Sequence, residues 1–375
     1  MDFAIRIRRY DALTVTIGDL SSGEAALLRE ACLSPQVPSG PGFGFPRPTA
    51  LFITGSPAQI RQFCVFLRSD ERLSKHLPAQ IESRLDNYLR SHYPLTLRNS
   101  FLDLGARTHV MGVLNVTPDS FSDGGLFAGH GAAMVHARSM ASQGADIIDI
   151  GGESTRPGAE PLTDEEELRR ILPVIERIAA ELPVPISVDT YKARVARKAL
   201  AAGASIVNDI SGLRFSPDMA RVVADHGAAV VLMHIKGTPR DMQMNPVYGD
   251  VVGEIMDYLE ESAAIALKAG VGRERILVDP GIGFGKTVQH NLEIIDRLDE
   301  FRTLGFPTVL GTSRKRFIGT VLNIPEPRDR VEGTAATVAL AIQRGAHIVR
   351  VHDVGYMMKV ARMTDAIVRR TELAS

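Results

Sequence analysis

Cysteine and tryptophan are scarce in this chain of 375 residues, which contains no tryptophan and only two cysteines, Cys32 and Cys64. So few cysteines exclude a disulfide-bonded scaffold and any metal site of the CxxC type. We expect both to pack as small apolar side chains. The formal net charge is only -1, so the chain as a whole has no electrostatic attraction to nucleic acid or to a membrane surface.

Long hydrophobic segments are also missing. No stretch approaches the roughly 20 uninterrupted apolar residues that are needed to cross a bilayer. The first ten residues, MDFAIRIRRY, lack the apolar core of a secretory signal peptide. We therefore expect a cytoplasmic protein that has neither a membrane nor a nucleic-acid partner.

From residue 109 onward, a short apolar run rich in β-branched residues alternates with an amphipathic segment. Eight such runs occur, at residues 109–116, 146–152, 185–190, 205–211, 228–235, 276–281, 308–314 and 348–353. Near-continuous apolar strands between helices are typical of a parallel sheet that is covered on both faces. Eight strand–helix units in roughly 265 residues predict an α/β fold of the (β/α)₈ TIM-barrel type. A doubly wound sheet is the main alternative, but it normally has fewer strands and a single ligand crevice.

Residues 1–100 do not follow this repeat. They contain two segments typical of strands, two typical of helices, and a loop rich in proline and glycine at residues 34–48. We therefore expect a small α/β domain or extension over residues 1–100, with an interface or structural role, and a barrel domain over residues 105–375.

Polar residues follow nearly every predicted strand. They are Asn115, Glu153, Thr155, Arg156, Asp189, Asn208, Asp209, His234, Asp279, Ser313, Arg314, Lys315, Arg350, His352 and Asp353, and the apolar Met233 stands beside His234 at the end of the fifth run. Any one of them is equally well explained as a helix cap or a paired buried group. Because the carboxyl ends of barrel strands meet at one rim, where active sites are built, the complete ring predicts an active site.

The ring is also sorted by charge. Hydrogen-bond acceptors or mixed donors occupy one arc, formed by Asp189, Asn208 and Asp279. Groups that are cationic or can become so occupy the other, formed by Lys315, Arg350 and His352. Carboxylates can accept paired N–H bonds from an amino-pyrimidine edge, and arginine pairs well with phosphate oxygens. The pattern is therefore compatible with a heterocycle that carries ring N–H donors and a polyanionic tail.

Three loops add to the predicted site. Residues 115–125 and 151–159 form long loops that we expect to close over a bound substrate. Residues 279–286 read DPGIGFGK, which matches neither a Walker loop nor a dinucleotide fingerprint. Its glycines are expected to allow a tight turn and a close approach of the backbone to a flat ligand.

Taken in order, these segments resemble the motifs of dihydropteroate synthase, a pterin-binding TIM-barrel family. The matching motifs are NVTPDSFSDGG, GGESTRPGA, SVDT, NDISG, LMH, DPGIGFGK, TSRK and RVHD, and the resemblance covers about residues 108–370. It implies an enzyme of folate biosynthesis, and a sulfonamide target. The implied reaction condenses (7,8-dihydropterin-6-yl)methyl diphosphate with 4-aminobenzoate to give 7,8-dihydropteroate and pyrophosphate. The family also implies a homodimer.

The resemblance further implies a role for individual residues. Asn115 would help to hold Mg²⁺ together with the substrate diphosphate. The diphosphate would be bound by Arg350 and His352, with Thr155 and Arg156 close to it and to the incoming amine. The implied pterin pocket consists of Asp189, Asn208, Asp279, Lys315 and Met233, while Phe284 and Pro157 flank 4-aminobenzoate. The implied catalytic set is Asp189, Asp279, Lys315, Arg350 and His352, with Asp119 and Asp123 as candidates to assist the amine.

The sequence departs from the family pattern in three places. Lys236 stands where members of the family often carry glutamine, and Arg316 where many carry a small residue. The resemblance places Arg316 close to the 4-aminobenzoate side, so sulfonamide affinity cannot be transferred. Residues 1–100 have no counterpart in the minimal enzyme and lack the motifs of the pyrophosphokinase fused to it in some organisms.

Two other functions remain open. A pterin-dependent methyltransferase that feeds a corrinoid shares the barrel but needs no diphosphate site, so the residues implied for that site argue against it. Those residues are Thr155, Arg156, Lys315, Arg350 and His352. A non-catalytic pterin-binding protein is favoured only by the unexplained residues 1–100, because no rim residue is missing.

Overall fold

The structure is a computed structural model that describes residues 4–9, 13–18, 20–34, 37, 41–98, 100–116, 125–154 and 160–369. The chain forms two compact units. The first comprises Met1–Arg90 together with Asp299–Gly305, and the second comprises Ser91–Leu298 together with Phe306–Ser375. The sequence placed the division between residues 100 and 105. In the structure, the continuous part of the first unit ends earlier, at Arg90, and the segment Asp299–Gly305 from much later in the chain also belongs to it.

In its described residues, the first unit contains a four-stranded antiparallel sheet, three α-helices and most of the 3₁₀ helix Leu298–Leu304. The strands follow the order β1-β2-β4-β3 and span Ala4–Arg9 (β1), Leu13–Gly18 (β2), Gly42–Arg47 (β3) and Ala50–Gly55 (β4). The helices span Ser22–Leu33 (α1), Pro57–Ser69 (α2) and His76–Leu89 (α3). Serine side chains cap α1 and α2 in capping boxes, which fixes where these helices begin.

The core of the first unit is apolar and includes both cysteines, which are buried and free, as the sequence predicted. Helix α3 also holds the segment from later in the chain. The Tyr88 hydroxyl donates to Asp299 Oδ2 at 3.0 Å, and Asn87 Nδ2 donates to the carbonyl oxygen of Thr303 at 3.0 Å. These bonds satisfy polar groups that would otherwise be costly to bury.

The second unit begins with a hairpin and continues as an eight-stranded parallel sheet. The hairpin strands are Tyr93–Thr96 (β5) and Phe101–Leu104 (β6). The parallel strands are His109–Asn115 (β7), Ile147–Gly151 (β8), Ile186–Asp189 (β9), Ile206–Asp209 (β10), Ala229–Met233 (β11), Ile276–Asp279 (β12), Val309–Leu310 (β13) and Ile348–Val351 (β14). Their residues are mostly buried and mostly apolar, with polar side chains toward the carboxyl ends of several strands, as expected for strands covered by helices.

The parallel sheet closes on itself. Its order is β12-β11-β10-β9-β8-β7-β14-β13, and a parallel bridge between Val278 and Thr308 joins the two ends. The Val278 N–H donates to the carbonyl oxygen of Pro307 at 3.0 Å across this junction. The predicted (β/α)₈ barrel preceded by a small α/β unit is therefore confirmed, and the doubly wound alternative is excluded.

Helices surround the barrel. They span Gly125–Ser142 (α4), Asp164–Glu181 (α5), Ala193–Ala201 (α6), Met219–Asp225 (α7), Val251–Lys268 (α8), Val288–Asp296 (α9), Arg316–Leu322 (α10), Val331–Gln343 (α11) and Val354–Arg369 (α12). A 3₁₀ helix, Leu298–Leu304, follows α9. Among the described helices, none combines the length and the apolar character needed to cross a bilayer.

The start of α5 shows how charged neighbours on one helix modify a capping pattern. Thr163 and Glu166 have the spacing of a capping box, and Thr163 caps this helix by accepting from the Glu166 N–H at 3.2 Å. The Glu166 carboxylate, however, pairs with Arg169 and Arg170. The capping box is thus only half formed, because two arginines on the next turn offer stronger, charged partners.

Candidate active site

Strand register brings the first group of predicted site residues to one level of the barrel. Asn115 lies opposite Gly151, Gly151 opposite Asp189, and Asp189 opposite Asn208. A Cβ atom placed on Gly151 would lie 3.7 Å from Asp189 Oδ2 and 3.8 Å from Asn115 Oδ1. Side-chain oxygens from the two neighbouring strands therefore flank the position of Gly151 at ordinary contact distance.

Arg350, from β14, reaches across this level to two carboxylates. Its NH2 atom donates to Asp189 Oδ2 at 2.6 Å, and its Nε atom donates to Asp149 Oδ2 at 2.6 Å. Asp149 is completely buried, and its Oδ2 atom also accepts from Asn208 Nδ2 at 3.1 Å. The structure thus brings together three predicted residues around a fourth that received no predicted role.

Asp149 could have been found from its sequence context. It stands inside the apolar run IIDIG of β8, where a carboxylate is costly to bury unless it is paired. The sequence signal was therefore a charged residue in the middle of an apolar strand. Its partners could not be inferred, because Arg350 lies 201 positions away in the chain.

Burial sets the electrostatics of the acidic residues. It raises the pKa of Asp189 to about 7; Arg350 opposes this shift and the neighbouring Asp149 carboxylate adds to it. Burial also raises the pKa of Asp279, at the end of β12, while the Gly281 N–H, which donates to Asp279 Oδ1 at 2.7 Å, opposes that rise. Both carboxylates therefore hold protons more tightly than exposed aspartates do.

Lys315 and Phe284 lie together on another side of the mouth. Lys315 Nζ donates to the carbonyl oxygen of Ile282 at 2.8 Å and lies 4.3 Å from the centroid of the Phe284 ring. Burial, and then the charge of Arg350, lower the pKa of Lys315 to about 8. The ammonium group therefore remains a donor near neutral pH but loses its proton more easily than an ordinary lysine.

His352 is held by Ser313. The Nδ1 atom of His352 lies 3.0 Å from Ser313 Oγ, which also accepts from the His352 backbone N–H at 3.2 Å. Because that backbone N–H donates to Ser313 Oγ, the serine hydroxyl is free to donate to Nδ1, which leaves the Nε2–H as the outward donor. Burial, and then Arg350, lower the pKa of His352 to about 3. In the free enzyme His352 is therefore a neutral donor and not a cation.

Other predicted rim residues, such as Arg314 and Asp209, bind neighbouring side chains of the rim. Arg314 forms a two-point ion pair with Asp353, at 3.0 and 2.5 Å. Asp209 accepts from the Ser211 hydroxyl at 2.7 Å and so shapes the turn after β10. These contacts indicate structural roles at the rim.

The glycine-rich loop after β12 is anchored by a buried lysine that the sequence did not single out. Lys286 Nζ lies 2.9 Å from His234 Nδ1 and donates to the carbonyl oxygen of Phe284 at 2.9 Å. Burial lowers the pKa of Lys286 well below that of an ordinary lysine and the pKa of His234 to about 2. His234, one of the residues predicted at the rim, thus uses Nδ1 within this pair. Met233, just before it, lies beside Gly281.

Some predicted residues lie outside the described part of the chain. These are Thr155, Arg156 and Pro157 of the second loop, and Asp119 and Asp123 of the first. The two sides of the second loop are joined by Glu153, whose Oε2 atom accepts from Lys192 Nζ at 2.5 Å and from the Leu162 N–H at 2.9 Å.

Comparison with known proteins defines the family. The model of the pterin-binding enzyme family matches residues 111–352, more than half of the chain. This chain belongs to the pterin-binding enzymes. A relative in this family, the dihydropteroate synthase of Bacillus subtilis, is 52% identical over 271 residues, which cover 72% of this chain and 92% of that protein.

Solved structures of dihydropteroate synthases are also similar to this chain. A dihydropteroate synthase from Clostridium difficile, determined with pteroic acid, has a TM-score of 0.68 and 50% identity, covering 72% of this chain and 99% of that one. One from Xanthomonas albilineans, determined with 4-aminobenzoic acid, has a TM-score of 0.70 and 45% identity, covering 74% and 98%. The predicted resemblance to dihydropteroate synthase is confirmed, and the two alternative functions lose their support.

Proposed function

We propose that this pterin-binding enzyme condenses (7,8-dihydropterin-6-yl)methyl diphosphate with 4-aminobenzoate, giving 7,8-dihydropteroate and pyrophosphate. The arrangement of charged side chains at the barrel mouth is the observation that supports this proposal. A single barrel mouth combines buried carboxylates with an arginine that is fixed between two of them. That combination suits a ligand with N–H donors on a flat ring and an anionic leaving group.

The pterin ring is assigned to the acidic side of the mouth. Asp189 and Asp279 accept hydrogen bonds from ring N–H groups, and Lys315 donates to a ring acceptor from its position above Phe284. Burial strengthens each of these bonds because little water competes for the donors. Phe284 is assigned to one side of 4-aminobenzoate.

The diphosphate is assigned to Arg350 and His352. A guanidinium group has five N–H donors, and two of those on Arg350 are used by Asp149 and Asp189. The remaining donors serve phosphate oxygens. His352 adds the neutral Nε2–H donor, so the anion is bound with one fixed positive charge and one neutral group.

The residues present fit a Mg²⁺ ion that is held jointly with the substrate. Among the described residues there is no cluster of three or more histidine, cysteine, aspartate or glutamate side chains that could hold a metal alone. Asn115 Oδ1, which lies beside Gly151, would supply one hard oxygen ligand, and Mg²⁺ commonly takes few protein ligands with water and phosphate oxygens for the rest. When bound, Mg²⁺ would neutralise charge on the diphosphate.

The reaction breaks the C–O bond between the pterin methylene and the diphosphate, and the electron pair leaves with pyrophosphate. The 4-aminobenzoate nitrogen forms the new C–N bond to the methylene carbon and gives up one proton. Asp189 and Asp279 stabilise positive charge that develops on the pterin methylene, while Arg350 and His352 stabilise the departing anion. No covalent intermediate on the enzyme is needed.

A homodimer is part of the proposal. Helices α11 and α12 expose large apolar side chains, namely Leu340, Tyr356, Met363, Ile367 and Val368. Exposed apolar surface of this kind favours contact with a second copy. Sedimentation equilibrium tests this directly, since a monomer at all concentrations would contradict it. The cytoplasmic location and the sulfonamide sensitivity stay predictions.

The deciding experiment measures pyrophosphate release from dihydropterin diphosphate with and without 4-aminobenzoate. Release that requires both substrates and yields dihydropteroate supports the proposal. Release that is independent of 4-aminobenzoate would indicate simple hydrolysis. No release, together with methyl transfer from methyltetrahydrofolate to a corrinoid, would favour the methyltransferase.

A further inference from the structure

Two predicted site residues, Arg350 and Asn208, donate hydrogen bonds to the same carboxylate oxygen, Asp149 Oδ2. Asp149 lies in β8, opposite Val113 of β7 and Ser187 of β9. Its Oδ2 atom accepts from Arg350 Nε at 2.6 Å and from Asn208 Nδ2 at 3.1 Å. Both donors belong to residues assigned to the substrates, whereas Asp149 itself is completely buried beneath them.

Stability alone is a poor explanation for this aspartate. A buried ion pair is often no more stabilising than well-packed apolar side chains of similar volume. Here the second carboxylate oxygen, Asp149 Oδ1, has no hydrogen-bond partner among the described residues, and the same holds for the neighbouring Ser187 hydroxyl. A group that is incompletely satisfied in the interior and yet contacts two site residues points to a role in the site.

The first consequence concerns Asn208. A side-chain amide has one donor end and one acceptor end, and only its partners decide which way it is turned. Asp149 Oδ2 already accepts from Arg350 Nε, so it is the donor end of Asn208, Nδ2, that faces it. The Oδ1 end of Asn208 is then left as a hydrogen-bond acceptor at the level of Asp189, its register neighbour.

The second consequence concerns Arg350. Its guanidinium group is held at two points, by Asp149 at Nε and by Asp189 at NH2. Two contacts on different nitrogens of a planar group fix both its position and its plane. The remaining N–H donors of Arg350, which are assigned to phosphate oxygens, therefore have fixed directions before the substrate binds.

We propose that Asp149 is a positioning residue that turns Asn208 into a hydrogen-bond acceptor and fixes the plane of Arg350 through one shared oxygen. It thereby selects heterocycles that present an N–H donor to Asn208, and it places the anion relative to the ring. The inference rests on the proposed function, because it assumes that the pterin contacts Asn208 and that the diphosphate contacts Arg350.

Two substitutions separate this role from general packing. Asp149→Leu keeps the number and branching of the side-chain atoms and removes the acceptor, so Asn208 is free to turn and Arg350 loses one fixed point. We expect binding of hydroxymethyl-dihydropterin to weaken by about tenfold and binding of its diphosphate by about 100-fold. Asp149→Asn keeps an acceptor. Arg350 Nε and Asn208 Nδ2 both donate to the position of Asp149 Oδ2, so the variant's amide oxygen is favoured there over its NH₂ group. It should retain binding of hydroxymethyl-dihydropterin within about threefold of the wild type.

The matched control is Asp365, a buried carboxylate that accepts from Thr108 N at 2.7 Å and from Thr108 Oγ1 at 2.8 Å, just before β7 begins. Asp365→Leu should lower thermal stability and leave the binding of both pterins unchanged. The measurements are titration calorimetry for the two pterins and steady-state KM values for both substrates. The KM for 4-aminobenzoate should change less than twofold in the Asp149 variants.

The outcomes are distinct. If Asp149→Leu binds both pterins like the wild type, or if the KM for 4-aminobenzoate rises as much as that for the pterin diphosphate, the positioning role is overturned. Pterin binding lost equally in Asp149→Leu and Asp149→Asn also overturns it, because the conservative variant should rescue. If the wild type binds hydroxymethyl-dihydropterin but releases no pyrophosphate, the proposed reaction fails, and the binding comparison still decides the role of Asp149.

Discussion

The pH dependence of catalysis offers a quantitative test of the site. In the proposed function Asp189 must be ionised to accept ring N–H groups, and Lys315 must be protonated to donate. Burial raises the pKa of Asp189 to about 7 and lowers that of Lys315 to about 8. Activity should therefore fall as the pH drops through 7, when Asp189 gains a proton, and also as it rises through 8, when Lys315 loses one.

The magnitude follows from these two values. The value of kcat/KM reports the protonation states of the free enzyme, so it should give a bell-shaped profile centred near pH 7.5. Two titrations at about 7 and 8 leave roughly 60% of the enzyme in the required state at the optimum. Because each of the two groups acts on the charge of the other, these pKa values belong to the pair. About 2 pH units away on the alkaline side, kcat/KM should be about 20-fold lower. The acid side should fall at least as much, because the pKa of Asp279 is raised too.

Two lysine-to-arginine variants assign the alkaline limb. Lys315→Arg keeps the positive charge at every accessible pH, so the loss of activity above pH 8 should disappear even if the maximum rate is lower. Lys198→Arg, an exposed lysine on α6, should leave the whole profile unchanged. The assay is pyrophosphate release at subsaturating dihydropterin diphosphate between pH 5.5 and 9.5. A flat profile, or an alkaline limb that persists in Lys315→Arg, would refute the assignment.

Three further outcomes are expected. Arg350→Met should weaken binding of dihydropterin diphosphate about 10- to 100-fold more than binding of the pterin alcohol, because charge-assisted hydrogen bonds contribute about 1.5–3 kcal/mol each. Titration calorimetry measures both affinities, and equal losses would contradict the anion role. Excess chelator should suppress pyrophosphate release and added Mg²⁺ should restore it, whereas full activity in chelator would remove the metal from the scheme. Tyr88→Phe removes the hydroxyl that donates to Asp299, so urea denaturation should show a loss of about 1.5–3 kcal/mol with unchanged KM values; wild-type stability would show that the bond contributes nothing.

The strand pattern could be predicted because it depends on local sequence. Apolar runs placed all eight barrel strands, and the polar residue at the end of each run placed the rim. The run at residues 308–314 is instructive, since only Val309–Leu310 forms a strand there. Arg314 adopts a positive φ of 59° and pairs with Asp353, so the chain has already turned into the rim. Apolar composition predicts the strand but not where the turn begins.

The contacts that organise the site could not be predicted in the same way. Asp149 and Lys286 both lie within apolar or glycine-rich segments, and nothing local indicates their partners. They pair with Arg350 and His234 across the barrel mouth and between neighbouring loops. Motif resemblance named the residues that are assigned to the substrates, because those are the ones that define the family pattern. It did not find the buried groups that hold them.

The first unit draws its last segment, Asp299–Gly305, from a point far along the chain. During synthesis, α3 has already emerged while the partners of Tyr88 and Asn87 have not yet been made. Domains that are continuous in sequence finish folding as they leave the ribosome. This one must wait until six of the eight barrel strands exist, so its final consolidation is tied to the near-completion of the barrel.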